Sequence, residues 1–97
     1  MEYSVKESSD KMMIFFSGQL VLESIDKKGN EIIDLVVKSG KDTVVDLSGV
    51  DYVDSTGIGL FLKLSGIQKN RGKSFKIVNL SDRVVKIFEL SSLGELI

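Results

Sequence analysis

Ninety-seven residues, 42% of them hydrophobic and 28% charged, with a formal net charge of −1, suit one globular domain with a single core. No stretch is dense enough in Lys and Arg to hold nucleic acid, Met12–Phe16 is the longest apolar run and too short for membrane insertion, and Met1–Lys6 lacks the apolar core of a secretion signal, so the cytoplasm is the expected location. The absence of His and Cys excludes a Ser-His-Asp triad, thiolate chemistry, disulfides and imidazole or thiolate metal sites, so neither an enzyme nor a metal or cofactor protein is expected.

Weak alternation over residues 3–8 predicts an edge strand, and Ser9-Asp10-Lys11 a turn. The bulky apolar segment 12–18 predicts an interior strand in a hairpin with the first. From Leu22 to Ser39 the period is helical. Leu22, Ile25, Ile32 and Val36 share a stripe with Gly29, and Lys27, Lys28, Glu31, Asp34 and Lys38 lie opposite. A mid-helix glycine costs about 1 kcal/mol against alanine, and close approach of helix to sheet is its expected reason. Ser39-Gly40-Lys41 reads as a C-cap and turn.

Thr43–Leu47 is a short β-branched strand, and 48–54 reads as a loop. A second helix follows over 56–70, ending at Arg71-Gly72. Residues 74–79 form a further strand. Ser81 or Asp82 caps a third helix running to Leu90, and 93–97 is a possible last strand. The order β-β-α-β-α-β-α, with a possible final β, predicts an α/β fold. Its strands pair in parallel through helical crossovers, with an antiparallel edge, as one domain over 1–97.

The segment Asp54-Ser55-Thr56-Gly57-Ile58-Gly59 sets a hydroxyl at a helix entrance, where N–H groups lie unpaired and the dipole favours negative charge. The serine can be an ordinary cap or a place for a phosphate. At about 100° per residue, Leu60, Phe61, Leu64 and Ile67 form the core side of this helix. Ser55, Ile58, Gly59, Leu62 and Gly66 fall on another side. That side suits docking by a partner surface, or else it is covered by the protein's own last helix. Asp51 and Asp54 are near in sequence, and Asp46 can approach from the strand end. A phosphate at Ser55 would meet these carboxylates and place new charge beside Ile58 and Leu62. As an enzyme nucleophile Ser55 lacks a base, since Lys63 and Lys69 read as solvent-facing.

The block from Val44-Val45-Asp46-Leu47-Ser48 to Asp54-Ser55-Thr56-Gly57-Ile58-Gly59 resembles the signature of the STAS domain, in particular of stand-alone bacterial anti-sigma factor antagonists. The likeness continues through Phe75–Ser81 and Val84–Leu93, covers essentially the whole chain, and implies a STAS-like mixed sheet with helices packed on it. It implies that Ser55 is the phosphoacceptor, with Asp46, Asp54, Thr56 and Gly57 around it, and that Thr56, the neighbouring hydroxyl, serves in capping or as a secondary acceptor. It also implies partner switching. An anti-sigma factor with serine kinase activity binds the unphosphorylated form, which frees the sigma factor, and a phosphatase restores that form after phosphorylation. Small STAS proteins also resemble accessory subunits of ATPase complexes such as bacterial lipid transporters, in which the same helix would dock permanently. Two departures stand out. Val21 and Leu22 follow Gly18-Gln19-Leu20 where members often carry an acid, Glu23 being the nearest, and members often continue into a further helix beyond Leu96-Ile97.

Overall fold

The computed structural model describes residues 1–91. Its elements are β1 (Glu2–Glu7), β2 (Lys11–Leu20), α1 (Leu22–Ser39), β3 (Asp42–Val53), α2 (Ser55–Asn70), β4 (Phe75–Val78) and α3 (Asp82–Leu90). The four strands form one sheet in the order β1-β2-β3-β4. β1 runs antiparallel to β2, with Tyr3 opposite Phe16 and Val5 opposite Ile14. β3 lies parallel to both β2 and β4, as helical crossovers demand. The predicted α/β order therefore holds. The possible strand at 93–97 lies outside the described residues.

Alternation along the strands sends Met12, Ile14, Phe16, Val45 and Leu47 into one buried layer. Phe61 of α2 is its hub. The Phe61 ring centroid lies 6.0 Å from Phe16 on β2, 6.4 Å from Phe75 on β4 and 6.2 Å from Phe88 on α3, with which it stacks. α2 and α3 thus share the face of the sheet that Phe16 and Phe75 present. Leu64, Ile32 and Val36 complete the core between α1, α2 and the sheet.

Two expected boundaries move. β2 runs to Leu20 and β3 to Val53, so most of the expected loop 48–54 is strand. The β2–β3 ladder absorbs the irregular stretch through register shifts between Phe15 and Ser17 and between Gly18 and Gln19. At the first shift the chains come so close that a Cβ on Gly49 would lie 2.9 Å from Ser17 Cβ and 3.1 Å from Phe16 O. A side chain there would push the ladder apart, and glycine lets pairing continue.

α1 has the expected limits, closed by Gly40 in the left-handed region at φ 62°. Its stripe differs from expectation at two residues. Leu22 is 56% exposed at the helix start. Gly29 is buried, but the nearest atom a Cβ would meet is Ile25 Cγ2 at 3.2 Å, and the residue borders a groove shared with Gly59 and Leu60 of α2. Neither the sheet nor α2 has an atom within 4 Å of that position, so the expected close approach to the sheet is not found, and Gly29 instead floors the groove between the helices.

The two parallel helices are held together at both ends. The Asp54 carboxylate accepts from Leu22 N–H at the start of α1, and the Arg71 guanidinium donates to Val36 O and Val37 O at its end. Gln68, fully buried, donates through Nε2 to Lys41 O, Ser74 O and Thr43 Oγ1, and so ties α2 to the entrances of β3 and β4.

Candidate functional site at the start of the second helix

Asp54 N–H donates to Leu20 O at 3.0 Å, which brings the end of β3 against the end of β2 just where α2 begins. Asp54 is the N-cap. Its Oδ1 accepts from Thr56 N–H at 2.9 Å and from Gly57 N–H at 3.1 Å. Its Oδ2 accepts from Leu22 N–H at 3.0 Å. One carboxylate therefore closes two helix N-termini, each of which presents unpaired donors. α1 needs this help, because its own N-cap is Val21, which has no side-chain acceptor. Ser24 Oγ reaches back to Val21 N–H at 3.2 Å and satisfies one further donor. The missing acid after Gly18-Gln19-Leu20 is thus supplied, for capping, by Asp54 from thirty-two residues on.

Ser55 occupies the first helical position after this cap. It is exposed, and among the described residues no hydrogen bond uses its hydroxyl. Capping at this point belongs to Asp54, so neither Ser55 nor Thr56 caps α2, contrary to the role expected of Thr56. Thr56 is half-buried and contributes only its N–H to the cap.

Gly57 is present for lack of space. A Cβ there would lie 2.7 Å from Val53 Cγ1, 2.8 Å from Leu20 O and 3.1 Å from Leu20 Cβ. Its absent side chain lets the first turn of α2 rest directly on the ends of β2 and β3.

The expected docking face divides. Ser55, Gly59, Leu62 and Gly66 are exposed, Leu62 at 41%, and a Cβ on Gly59 or Gly66 would meet nothing within 4 Å. Ile58 does not belong with them. It is 5% exposed and part of the core cluster. The physical reason is the width of the buried arc. Ile58 stands one turn from Phe61, on the flank facing away from α1, and a helix laid on a sheet between two neighbours buries more than half its circumference. Leu22, assigned by its spacing to the buried stripe, is instead the large apolar side chain exposed at the helix start tied to Asp54. Beside it, Ile25, Asp26, Gly29, Gly59, Leu60 and Lys63 line a groove of about 260 Å³ between α1 and α2.

Asp46 is not brought onto Ser55. It lies seven residues before the end of β3, 6% exposed, and its carboxylate is engaged locally. Oδ1 accepts from Ser48 N–H and Oδ2 from the Asn79 amide, both at 2.8 Å. Burial pushes its pKa up, but the Ser48 and Asn79 hydrogen bonds outweigh this and hold the carboxyl below its ordinary range. Its observed role is to join β3 to the turn after β4. Sequence reading also missed Arg83 of α3, whose guanidinium stands 5.3 Å from the Tyr52 ring centroid, two residues before the cap. Among the described residues no helix is long and apolar enough to cross a membrane.

The described residues thus form a single-sheet α/β domain that offers an exposed hydroxyl at a helix start and one exposed helix face. The chain belongs to the STAS domain family, whose description "Mlab, STAS domain" matches residues 4–97. It is similar to the anti-sigma-B factor antagonist of Bacillus subtilis, 29% identical over 93 residues, covering 96% of this chain and 84% of that protein. It is also similar to the anti-sigma-B factor antagonist of Listeria monocytogenes, 31% identical over 94 residues, covering 96% and 82%. In structure it resembles the anti-sigma factor antagonist SpoIIAA of Bacillus. The TM-score to the unphosphorylated form is 0.84 at 18% identity, covering 98% of this chain and 84% of that one. To the phosphorylated form it is 0.75 at 18% identity, covering 98% and 87%.

Proposed function

We propose that this chain is an anti-sigma factor antagonist, a regulatory binding protein whose contact with its anti-sigma factor is switched by phosphorylation of Ser55. One observation carries the reading. The carboxylate of Asp54 performs the capping at the start of α2, so the exposed hydroxyl of Ser55 has no structural task and is open to a modifying enzyme. The names of its relatives in Bacillus subtilis and Listeria monocytogenes support the partner class.

The contact surface is the exposed side of α2, with Gly59, Leu62 and Gly66, extended by Leu22 at the start of α1. Gly59 and Gly66 leave the helix backbone open to close approach. A phosphoryl group adds about −1.5 to −2 charges and three acceptor oxygens. At Ser55 it would stand beside that surface, where burying it unpaired is costly. The anti-sigma factor is itself the serine kinase in this reading, and a phosphatase reverses the step.

The test is incubation with the cognate anti-sigma factor and ATP, then mass spectrometry of the intact chain and its peptides. One phosphoryl group on Ser55, absent in Ser55→Ala, and loss of affinity on its addition are expected. A phosphate on another residue would overturn the site. If Ser55→Ala and Ser55→Asp both bind like the parent and no phosphate is taken up, the chain is a permanently docked subunit instead.

A further inference from the structure

We propose that β1 is a self-recognition edge, on which two copies of this chain pair antiparallel about Ser4 to join their sheets into one. β1 lies at the end of the strand order, so its outer side has no strand partner among the described residues. Such an edge presents a row of backbone donors and acceptors, and charged side chains usually serve to discourage pairing. Here the charges have a particular arrangement. Glu2-Tyr3-Ser4-Val5-Lys6 carries opposite charges at equal distances on either side of Ser4.

A two-fold axis normal to the sheet keeps the helix-bearing faces of both copies on one side. It therefore permits only registers in which residues of the same face stand opposite. Centred on Ser4, this places Glu2 opposite Lys6 of the second copy at both ends and Tyr3 opposite Val5 on the helix side. The two Ser4 hydroxyls meet on the axis. Opposite charges, aromatic–β-branched pairs and hydroxyl pairs are the cross-strand combinations that stabilise sheets. Moving the centre to Tyr3 or Val5 breaks both ion pairs. The register is thus selected by charge, and a second copy of the chain is the occupant whose charges match.

The surroundings leave room for it. Val5 is 38% exposed, and pairing with Tyr3 of the second copy would cover it. Tyr3 is held upright by its tilt against Phe16, at 6.1 Å between ring centroids, and by donation from its hydroxyl to Glu31. Glu2 has only a loose contact, 3.9 Å from Lys28, and is 85% exposed, so its carboxylate is available. Five residues per copy make a small interface, at the low end for specific association. The dimer is therefore weak and concentration-dependent, and it leaves the exposed face of α2 free on both copies.

Charge reversal tests this by sedimentation equilibrium across a concentration series, with circular dichroism to confirm folding. The parent chain should self-associate. Glu2→Lys and Lys6→Glu should each weaken self-association roughly tenfold or more, because like charges then face each other at both ends. Mixing the two single variants should restore dimers, since Lys at both positions of one copy faces Glu at both positions of the other. A parent chain that stays monomeric, reversals without effect, or a mixture that fails to associate would each overturn the proposal.

Discussion

Gly57 and Gly59 stand two residues apart in one helix, and replacing each by alanine should move stability in opposite directions. Alanine is preferred over glycine in a helix by about 1 kcal/mol. At Gly59 nothing lies within 4 Å of the added Cβ, so Gly59→Ala should gain about 0.5–1 kcal/mol. At Gly57 the methyl would stand 2.7 Å from Val53 Cγ1 and 2.8 Å from Leu20 O. The Val53 side chain can turn aside, but Leu20 O is backbone and already accepts the Asp54 N–H at 3.0 Å. Relieving the clash means lifting the first turn of α2 off the strand ends and lengthening that bond. Overpacking of this kind costs about 1–3 kcal/mol. A backbone oxygen at 2.8 Å puts the cost in the upper part of that range, about 2–3 kcal/mol, so against a propensity gain of about 1 kcal/mol Gly57→Ala should lose about 1–2 kcal/mol. Urea unfolding followed by circular dichroism reads both changes, and in a domain of this size each 1 kcal/mol moves Tm by about 4–8 °C. A Gly57→Ala variant as stable as the parent would refute the packing argument. So would a Gly59→Ala variant that loses as much as Gly57→Ala.

Asp54→Ala strips acceptors from the Thr56, Gly57 and Leu22 N–H groups at once, and should cost about 2 kcal/mol, the sum of two ordinary caps of about 1 kcal/mol each. A urea midpoint within experimental error of the parent would show that the shared cap contributes nothing. Leu62→Glu, on the exposed side, should leave the melting curve unchanged within about 0.5 kcal/mol and impair partner binding. Ile58→Glu buries a charge in the core and should unfold the domain, so equal stability of the two variants would contradict the division of that face. The carboxyl of Asp46 is held below its ordinary pKa of 3.8 in the folded chain, so on acidification the unfolded chain binds the proton first. Its contribution is complete above about pH 4 and drains away as pH falls through the folded value. Asp46→Asn should therefore flatten the acid limb of a stability profile, and an unchanged limb would show that Asp46 does not shape it.

The parts of the fold set by periodicity were legible, and those set by distant contacts were not. α1 begins and ends where its apolar stripe and Gly40 predict, because both signals are local. β3 reads as ending at Leu47, with a loop over 48–54. Only the register shifts of β2 show why strand pairing survives there. Gln68 is buried by hydrogen bonds to carbonyls of Lys41 and Ser74 that lie apart from it in sequence, which local periodicity does not reveal. The same holds for the site. Its place at the head of α2 followed from the motif, and the exposure of Ser55, Gly59, Leu62 and Gly66 agreed with the wheel. That Asp54 also caps α1 could not be read from spacing, although the lack of any capping side chain at Val21 was a signal that one had to come from elsewhere.

The shared cap bears on how a phosphate at Ser55 would act. A helix N-terminus ordinarily offers free N–H groups to an anion, and a phosphate placed there would be partly neutralised by its own helix. In this chain the Thr56 and Gly57 donors already point at Asp54 Oδ1, and the Ile58 N–H is satisfied by Asp54 O at 3.1 Å. A phosphoryl group at Ser55 would have to displace a carboxylate to reach them, and in doing so would also free Leu22 N–H at the head of α1. With the cap intact, the added charge gains the dipole but few hydrogen bonds, and it stands next to a carboxylate of the same sign. Its charge is then spent outward, on whatever docks at Leu62 and Leu22, rather than inward on the fold. Asp54→Asn separates the two effects. It keeps one oxygen for the Thr56 and Gly57 N–H groups, gives up the acceptor for Leu22 N–H and removes the repelling charge, so under the proposed switch, with unphosphorylated Asp54→Asn as the reference for the lost cap, phosphorylation should cost Asp54→Asn less partner affinity than it costs the parent. Equal loss in both, measured by calorimetry against the same anti-sigma factor, would show that the charge of Asp54 has no part in the switch.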